Sequence, residues 1–269
     1  MLDKIDIQEI KVEETLDFNE IFRKSVIDSD EVLEPDPAIS YGKDIFGNPI
    51  EVVSYGNFMA LVGASKSMKS FLRTALEAAY MQGASQKYFP NFLSHGRDGK
   101  YCLAFDTEQG RRHVRNTHKR VENMIEQKNP FYKTFCLRPY SPKERLQFIE
   151  WIYYESDLKG KIGLGSIDGI ADLVDDVNDL KQSNEVVQFL MKLTEETHSA
   201  LITVIHKNFD SLKPTGHLGS AVTKKAETVL FVDRDGFNVN VKSQYARNIP
   251  IEEFTFNVNE KGIPEILDW

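Results

Sequence analysis

The sequence predicts an α/β protein, a mostly parallel sheet flanked by helices and closed by a C-terminal antiparallel extension. Three observations predict it. Short, almost wholly apolar runs recur at Phe58–Val62, Cys102–Phe105, Ile162–Ile167, Ala200–Ile205 and Thr228–Val232. Runs of this kind, flanked by polar residues or glycine, suit strands buried on both faces. Between them lie helical stretches at Lys69–Gln82, Arg111–Gln127, Pro142–Asp157 and Asn178–Glu196, so strand and helix alternate. Finally, Phe237–Ser243 and Glu253–Val258 alternate apolar and polar residues in twos, with turns between them, as half-buried antiparallel strands do.

The 269 residues suit one large domain with an appendage, and a hydrophobic fraction of 41% supplies a sizeable core. Lys and Arg number 33 against 41 Asp and Glu, a net charge of −8. A chain this acidic cannot hold nucleic acid by bulk charge and would need a local basic surface. Its two cysteines, Cys102 and Cys136, make neither a disulfide framework nor a four-ligand metal site, which points to a reducing, cytoplasmic setting. No apolar run approaches the ~18 residues of a membrane span, so no membrane partner is expected. The opening MLDKIDIQEIKVEET mixes charges with aliphatics and does not read as a signal peptide.

In chain order, residues 1–38 read as an arm that docks on a neighbouring subunit, and 39–269 as the main domain. Within the arm, Asp17–Lys24 can form a short amphipathic helix, and Pro35 and Pro37 break regular structure. Ile39–Tyr41 and Ile50–Val53 read as a hairpin around the turn Asp44–Pro49. Ser141-Pro142-Lys143-Glu144 offers a capping serine, a proline at the first helical position and a glutamate at the third, a complete helix start.

The sharpest chemical signal is Leu61-Val-Gly-Ala-Ser-Lys-Ser-Met-Lys-Ser70, between an apolar strand and a helix. Gly63, Lys69 and Ser70 occupy the first glycine, the lysine and the hydroxyl of a phosphate-binding loop, with Ser65, Lys66, Ser67 and Met68 between them and Phe71 beyond. Loop N–H groups and a helix N-terminus face the phosphates, the lysine reaches the outer ones, and the hydroxyl ligates Mg²⁺. Met68 stands where the second glycine belongs; a side chain there limits the backbone, although right-handed helical geometry would accommodate it. The competing reading is a Lys- and Ser-rich helix start with no ligand.

Three further strands end in chemistry. Tyr101–Gln109 closes on Asp106 and Glu108, which share a side of the strand, at the edge where open α/β sheets bind ligands. A carboxylate there can deprotonate an attacking water. The plainer alternative is a solvated strand end before a basic helix (Arg111, Arg112, Arg115). Ile162–Asp168 ends in an aspartate placed to support a metal. Ala200–Asn208 presents His206 beside it, where an imidazole can meet a phosphate or a water; a partly buried structural histidine is the rival reading. Then Thr215–Thr228 reads as a mobile loop through Gly216, Gly219 and Ser220, with Lys224 and Lys225 as candidate cations for a neighbouring subunit's nucleotide or a merely solvated pair.

Taken together, these segments resemble the RecA-like ATPase core, and more narrowly the RepA-type hexameric replicative helicases of mobile elements, over about residues 39–266. Tyr245–Phe254 and Lys261–Glu265 also resemble the tail of such proteins. The resemblance implies that Lys69 and Ser70 hold ATP and Mg²⁺. It makes Glu108 the catalytic base, Asp168 the metal-supporting acid and His206 the γ-phosphate sensor. Lys224 or Lys225 becomes the cation acting in trans, with Arg234 and Arg247 as rivals. It further implies a homo-hexameric ring with ATP between subunits, single-stranded DNA in the channel and a primase or initiator protein as partner. The loops facing that channel would be Asp172–Ser183, rich in aspartate, and Asn208–Ser220, with Lys207 and Lys213 near or within it and Phe209 as the sole stacking aromatic.

The reading that results is an ATP-hydrolysing ring motor on single-stranded DNA, a replicative helicase of a mobile element or phage. Its alternative is a nucleotide-binding regulatory or scaffold protein without unwinding activity. A small-molecule kinase is a weaker third, because no arginine-rich lid follows Asp168.

Overall fold

The computed structural model describes residues 17–27, 30, 36–96, 99–208 and 214–267. The chain divides into two units, Met1–Pro35 and Asp36–Trp269. In the first, α1 (Phe18–Ser25) opens on Asp17, whose carboxylate accepts the N–H groups of Asn19 and Glu20. Residues 31–35 of the expected proline-broken segment lie outside the described residues. Pro37 does not break structure; it is the first residue of a strand, where its missing N–H costs nothing, and Asp36–Ala38 belong with the second unit.

The second unit runs β1 (Pro37–Lys43), β2 (Pro49–Ser54), β3 (Phe58–Gly63), α2 (Lys69–Met81), β4 (Phe92–Ser94), β5 (Tyr101–Asp106), α3 (Arg111–Ile125), β6 (Tyr132–Cys136) and α4 (Pro142–Tyr154). It continues through β7 (Ile162–Asp168), α5 (Leu180–Thr197), β8 (Ala200–His206), α6 (Gly216–Lys225), β9 (Thr228–Asp235), β10 (Asn238–Ala246), β11 (Phe254–Val258) and β12 (Pro264–Ile266). Among the described residues, nine strands form one sheet in the order β12-β11-β10-β9-β3-β8-β7-β5-β6. From β9 to β6 the neighbours run parallel; β10, β11 and β12 extend the β9 edge antiparallel. The expected hairpin forms, but β2-β1-β4 make a separate small sheet.

The apolar runs are continuous because both faces of the sheet are covered. Met59 and Leu61 of β3 join α2 and α3 in one hydrophobic cluster, whereas Phe58, Ala60 and Val62 join α4, α5 and α6 in the other. In β7 the alternation is interrupted: Tyr101 pairs with Ile162 but Cys102 pairs with Leu164, a bulge. Ile162 therefore lies in the α4–α5 cluster and Leu164 in the α2–α3 cluster, although they are two apart. The bulge turns Ser166 and Asp168 towards α2.

Two short strands carry no apolar run. β6 is the sheet's terminal strand and exposes Lys133; β4 is three residues long. Gly216–Lys225 is helix, not a loop, because Leu218 and Val222 stand one turn apart and are both buried. Phe237 sits in the turn between β9 and β10.

Gly165 lies in the middle of β7, where an added Cβ would meet Leu201 Cδ1 at 2.8 Å as well as the Tyr153 hydroxyl. Gly165→Ala is expected to cost about 1–3 kcal/mol through overpacking. Urea unfolding measures it; unchanged stability would show that this contact relaxes freely.

Candidate functional site

β3 lies between β8 and β9, and its last residue, Gly63, pairs with His206 of β8. A Cβ on Gly63 would collide with the Val232 carbonyl and with Ser67 Oγ, so only glycine lets the chain leave the strand here. The loop that follows turns through two left-handed residues, Lys66 (φ 63°) and Met68 (φ 72°). Met68 thus adopts the conformation a glycine would supply, not the right-handed one that would accommodate its side chain freely, at a backbone cost of about 1–2 kcal/mol. Its side chain packs against the α2–α3 cluster. Met68 is also the N-cap of α2 and gives no side-chain cap, so the first N–H groups of that helix remain available to an anion.

Lys69 is buried, with Nζ donating to the carbonyls of Gly63 (2.9 Å) and Ala64 (2.6 Å) and to His206 Nδ1 (3.2 Å). Burial lowers its pKa to about 8, against the pull of Asp168 and Glu108. Because Nδ1 accepts from the lysine, the ring proton of neutral His206 sits on Nε2, which is 3.5 Å from Glu108 Oε2. That contact, with the charge of Lys69 behind it, holds the half-exposed Glu108 carboxyl below its usual range despite partial burial.

Asp106 and Asp168 end adjacent strands in register, both nearly fully buried. Asp106 Oδ1 accepts the Gln109 N–H at 2.7 Å, while Oδ2 has no partner among the described residues. Burial, then the neighbouring Asp168 charge, raises the Asp106 pKa to about 6. Beneath Asp168 lies Arg73 of α2, wholly buried, with Nε 3.3 Å from Asp168 Oδ2 and Nη1 2.5 Å from Glu77 Oε1. Burial works against the Arg73 charge, but Glu77 and Asp168 outweigh it and bind its proton more tightly. Tyr132 and Ser166 donate hydroxyls to Glu77, and Arg73 donates to Ser166.

Ser65, Lys66, Ser67, Met68, Lys69, Ser70 and Phe71 line one cleft of about 590 Å³ together with Glu108, Asp168 and His206. Its far wall is α3, where the Arg120 guanidinium lies 3.6 Å from the Phe71 ring centre. Of the candidate trans cations, Arg234 lines this cleft. Lys224 and Lys225 end α6 in solvent, outside the lining, and Arg247 donates to the Lys225 carbonyl instead. Phe209 and Lys213 lie outside the described residues. Lys207 pairs with Asp233, and Asp172 accepts the Thr107 hydroxyl.

Sequence reading missed Arg73 and Glu77. Their signal was an Arg–Glu pair at i, i+4 among Leu72, Ala75, Leu76, Ala78 and Ala79, charges on a helix that otherwise reads as core. Asp106 stood out only by sharing the side of Glu108.

The donor set suits magnesium and a polyphosphate. Among the described residues no three His, Cys, Asp or Glu side chains gather as a metal cage. A hydroxyl at Ser70 and a carboxylate at Asp168 beside uncapped helix N–H groups fit instead a hard cation carried largely by phosphate oxygens.

No protein-family model matches the sequence, and no curated protein does. Among solved structures the chain is similar to the RadB recombinase, with a TM-score of 0.52 at 14% identity, over 83% of this chain and 94% of that one. The fold is RecA-like. No helix among the described residues is long and apolar enough to cross a membrane.

Asp106 yields a pH test. Its folded-state pKa, about 6, lies above the ordinary 3.8, so this group favours folding below about pH 4 and loses that contribution as pH rises through 6. Asp106→Asn keeps the acceptor for Gln109 and removes the charge. Relative to wild type it is expected to gain about 2–3 kcal/mol more stability at pH 7 than at pH 4, at about 1.36 kcal/mol per pKa unit. A difference that does not change with pH would show that Asp106 titrates as an ordinary aspartate.

Proposed function

We propose that this chain binds ATP with Mg²⁺ in the cleft at the carboxyl edge of β3, β5, β7 and β8, and hydrolyses it. One observation carries the reading: Lys69, Ser70, Glu108, Asp168 and His206, from four separate segments, line a single cleft at the uncapped N-terminus of α2. The loop N–H groups and Lys69 would hold the phosphates, with Nζ exchanging the Gly63 and Ala64 carbonyls for phosphate oxygens. Ser70 and Asp168 would hold the magnesium, which when bound supplies charge stabilisation at the phosphates.

Glu108, ionised at neutral pH, would take the proton of a water attacking the γ-phosphorus, the bond to the β-phosphate oxygen breaking to leave ADP and phosphate. His206 orients that carboxylate through Nε2 and is itself oriented by Lys69, so phosphate occupancy and base position are linked through one imidazole. As a finer reading, the chain assembles into a homo-hexameric ring that moves on single-stranded DNA as the replicative helicase of a mobile element or phage, with a primase or initiator as partner. The resemblance to RepA-type helicases supports this reading, and Lys224 and Lys225, exposed and outside the cleft of their own chain, are compatible with its trans role. The alternative, a nucleotide-binding regulatory protein without unwinding activity, draws on Met68 in the loop and on Lys69 already satisfied by loop carbonyls.

Lys69→Ala and Glu108→Gln are each expected to lower steady-state phosphate release at least ~100-fold. Glu108→Gln should retain nucleotide affinity, whereas Lys69→Ala should lose it. Near-normal turnover in Glu108→Gln would remove that residue from the mechanism. Mass measurement with and without ATP, followed by unwinding of a forked duplex, separates the motor from the regulatory protein, for which a persistent monomer without DNA-stimulated hydrolysis is expected.

A further inference from the structure

α3 carries Arg111, Arg112, Arg115, Lys119 and Arg120 against the single acid Glu122, in a chain whose net charge is −8. Arg120 turns into the cleft, but Arg111, Arg112, Arg115 and Lys119 are exposed, a strip covering about a quarter of the helix surface at 100° per residue. Two features make this strip costly for the fold. Arg111, Arg115 and Lys119 stand at i, i+4 and i+8, so each faces a like charge one turn away. Arg111 and Arg112 also occupy the first turn, the positive end of the helix dipole, where no side chain caps the N-terminus. On α5 the exposed lysines are instead neutralised on their own helix, Lys181 by Glu185 and Lys192 by Glu196. Among the described residues no ion pair offsets the four cations of α3. The helix retains a charge arrangement that only an external anion relieves.

The neighbouring surface says what kind of anion. Arg111 also lines a groove of about 510 Å³ at the open edge of β6, with Phe135, Tyr140 and Phe148. Trp151 stacks on Phe148 with ring centres 6.2 Å apart, and Tyr140 and Trp151 are 51% and 47% exposed. Arg138 adds a further exposed cation beside Gly110, at the start of α3. The groove's acid, Glu144, is occupied in accepting from the N–H and hydroxyl of Ser141. No such aromatic group was visible in the sequence, because its rings come from β6, the β6–α4 turn and α4. A cationic track beside exposed rings matches the alternation of phosphate and base in an unpaired strand, and a duplex, with its bases stacked inside, has no use for the rings.

We infer that the outer face of α3 and the aromatic groove at the β6 edge form a binding surface for single-stranded DNA, with Arg112, Arg115 and Lys119 on the backbone and Tyr140 under a base. The inference deepens the proposed function by moving its DNA contact away from the Asp172–Ser183 and Asn208–Ser220 loops. It stands on charge and rings alone, so it can fail separately from the ATPase.

The test is fluorescence anisotropy with a labelled oligo-deoxythymidine, full-length protein and a salt series. The triple variant Arg112→Ala, Arg115→Ala, Lys119→Ala is expected to bind at least about 30-fold more weakly near 0.15 M salt, with a log–log salt slope shallower by about 2. Tyr140→Ala should weaken binding at least about fivefold with the slope unchanged. Lys181→Ala with Lys192→Ala on α5 serves as the charge-matched control and should alter affinity less than twofold. Removing the like-charge ladder should leave urea stability equal or higher, so misfolding does not confuse the result. Wild-type affinity and slope in the triple variant overturn the inference, as does loss of oligomeric mass with DNA affinity intact, which would assign the surface to a second copy of the chain. A wild-type protein that hydrolyses ATP but binds no oligonucleotide also overturns it and leaves the ATPase standing. DNA binding lost in the triple variant of a protein with no ATP turnover supports the surface and removes the ATPase.

Discussion

A fully buried guanidinium holds the centre of this molecule. Arg73 sits under the carboxyl edge of the sheet, ion-paired with Glu77 and Asp168 in an interior where an unpaired charge is costly. Its guanidinium, 3.3 Å from Asp168 Oδ2, sets the position of that carboxylate at the cleft. Glu77, fixed by Tyr132 and Ser166, keeps the guanidinium from swinging away. Breaking such a pair from one side typically costs about 3–5 kcal/mol, because the partner charge is stranded. The arrangement spans α2, β6 and β7, so the geometry of the site and the integrity of one half of the core rest on the same contacts.

Above that charge the loop is set by backbone shape. Two left-handed residues, Lys66 and Met68, turn the chain into the bare end of α2, and Ser65 to Ser70 line the cleft. Lys69 meanwhile serves as the loop's own counter-charge, satisfied by two carbonyls and His206. His206 in turn stands 3.5 Å from Glu108, so lysine, imidazole and carboxylate form one chain of contacts.

Charge is distributed unevenly over the rest of the surface. A net charge of −8 coexists with a helix that carries five cations and one acid, set between the cleft of Lys69 and Glu108 on one side and an aromatic groove on the other. The two faces of α3 thus meet two surfaces, Arg120 and Asn116 towards the loop after β3 and Arg111 towards the open sheet edge. One rigid helix joins them.

The sequence by itself determined the buried parallel strands, the main helices and the capping box at Ser141, because each depends on periodicity or on residues within one turn. It also placed Gly63, Glu108, Asp168 and His206 at or just beyond strand ends and Lys69 at the start of the helix after β3, where parallel topology brings them to one edge. It did not reveal β6, whose edge position removes the need for an apolar run. Nor did it reveal the helix at Gly216–Lys225, whose glycines masked a buried Leu218–Val222 face. The left-handed turn at Met68, the Arg73 network and the aromatic groove were decided only in three dimensions. The bulge in β7 is the clearest instance: one extra residue turns Asp168 towards α2, and its partner strand fixes that register. Side chains that meet across strands and helices have no signature along the chain, since what selects them is the space and charge their neighbours leave.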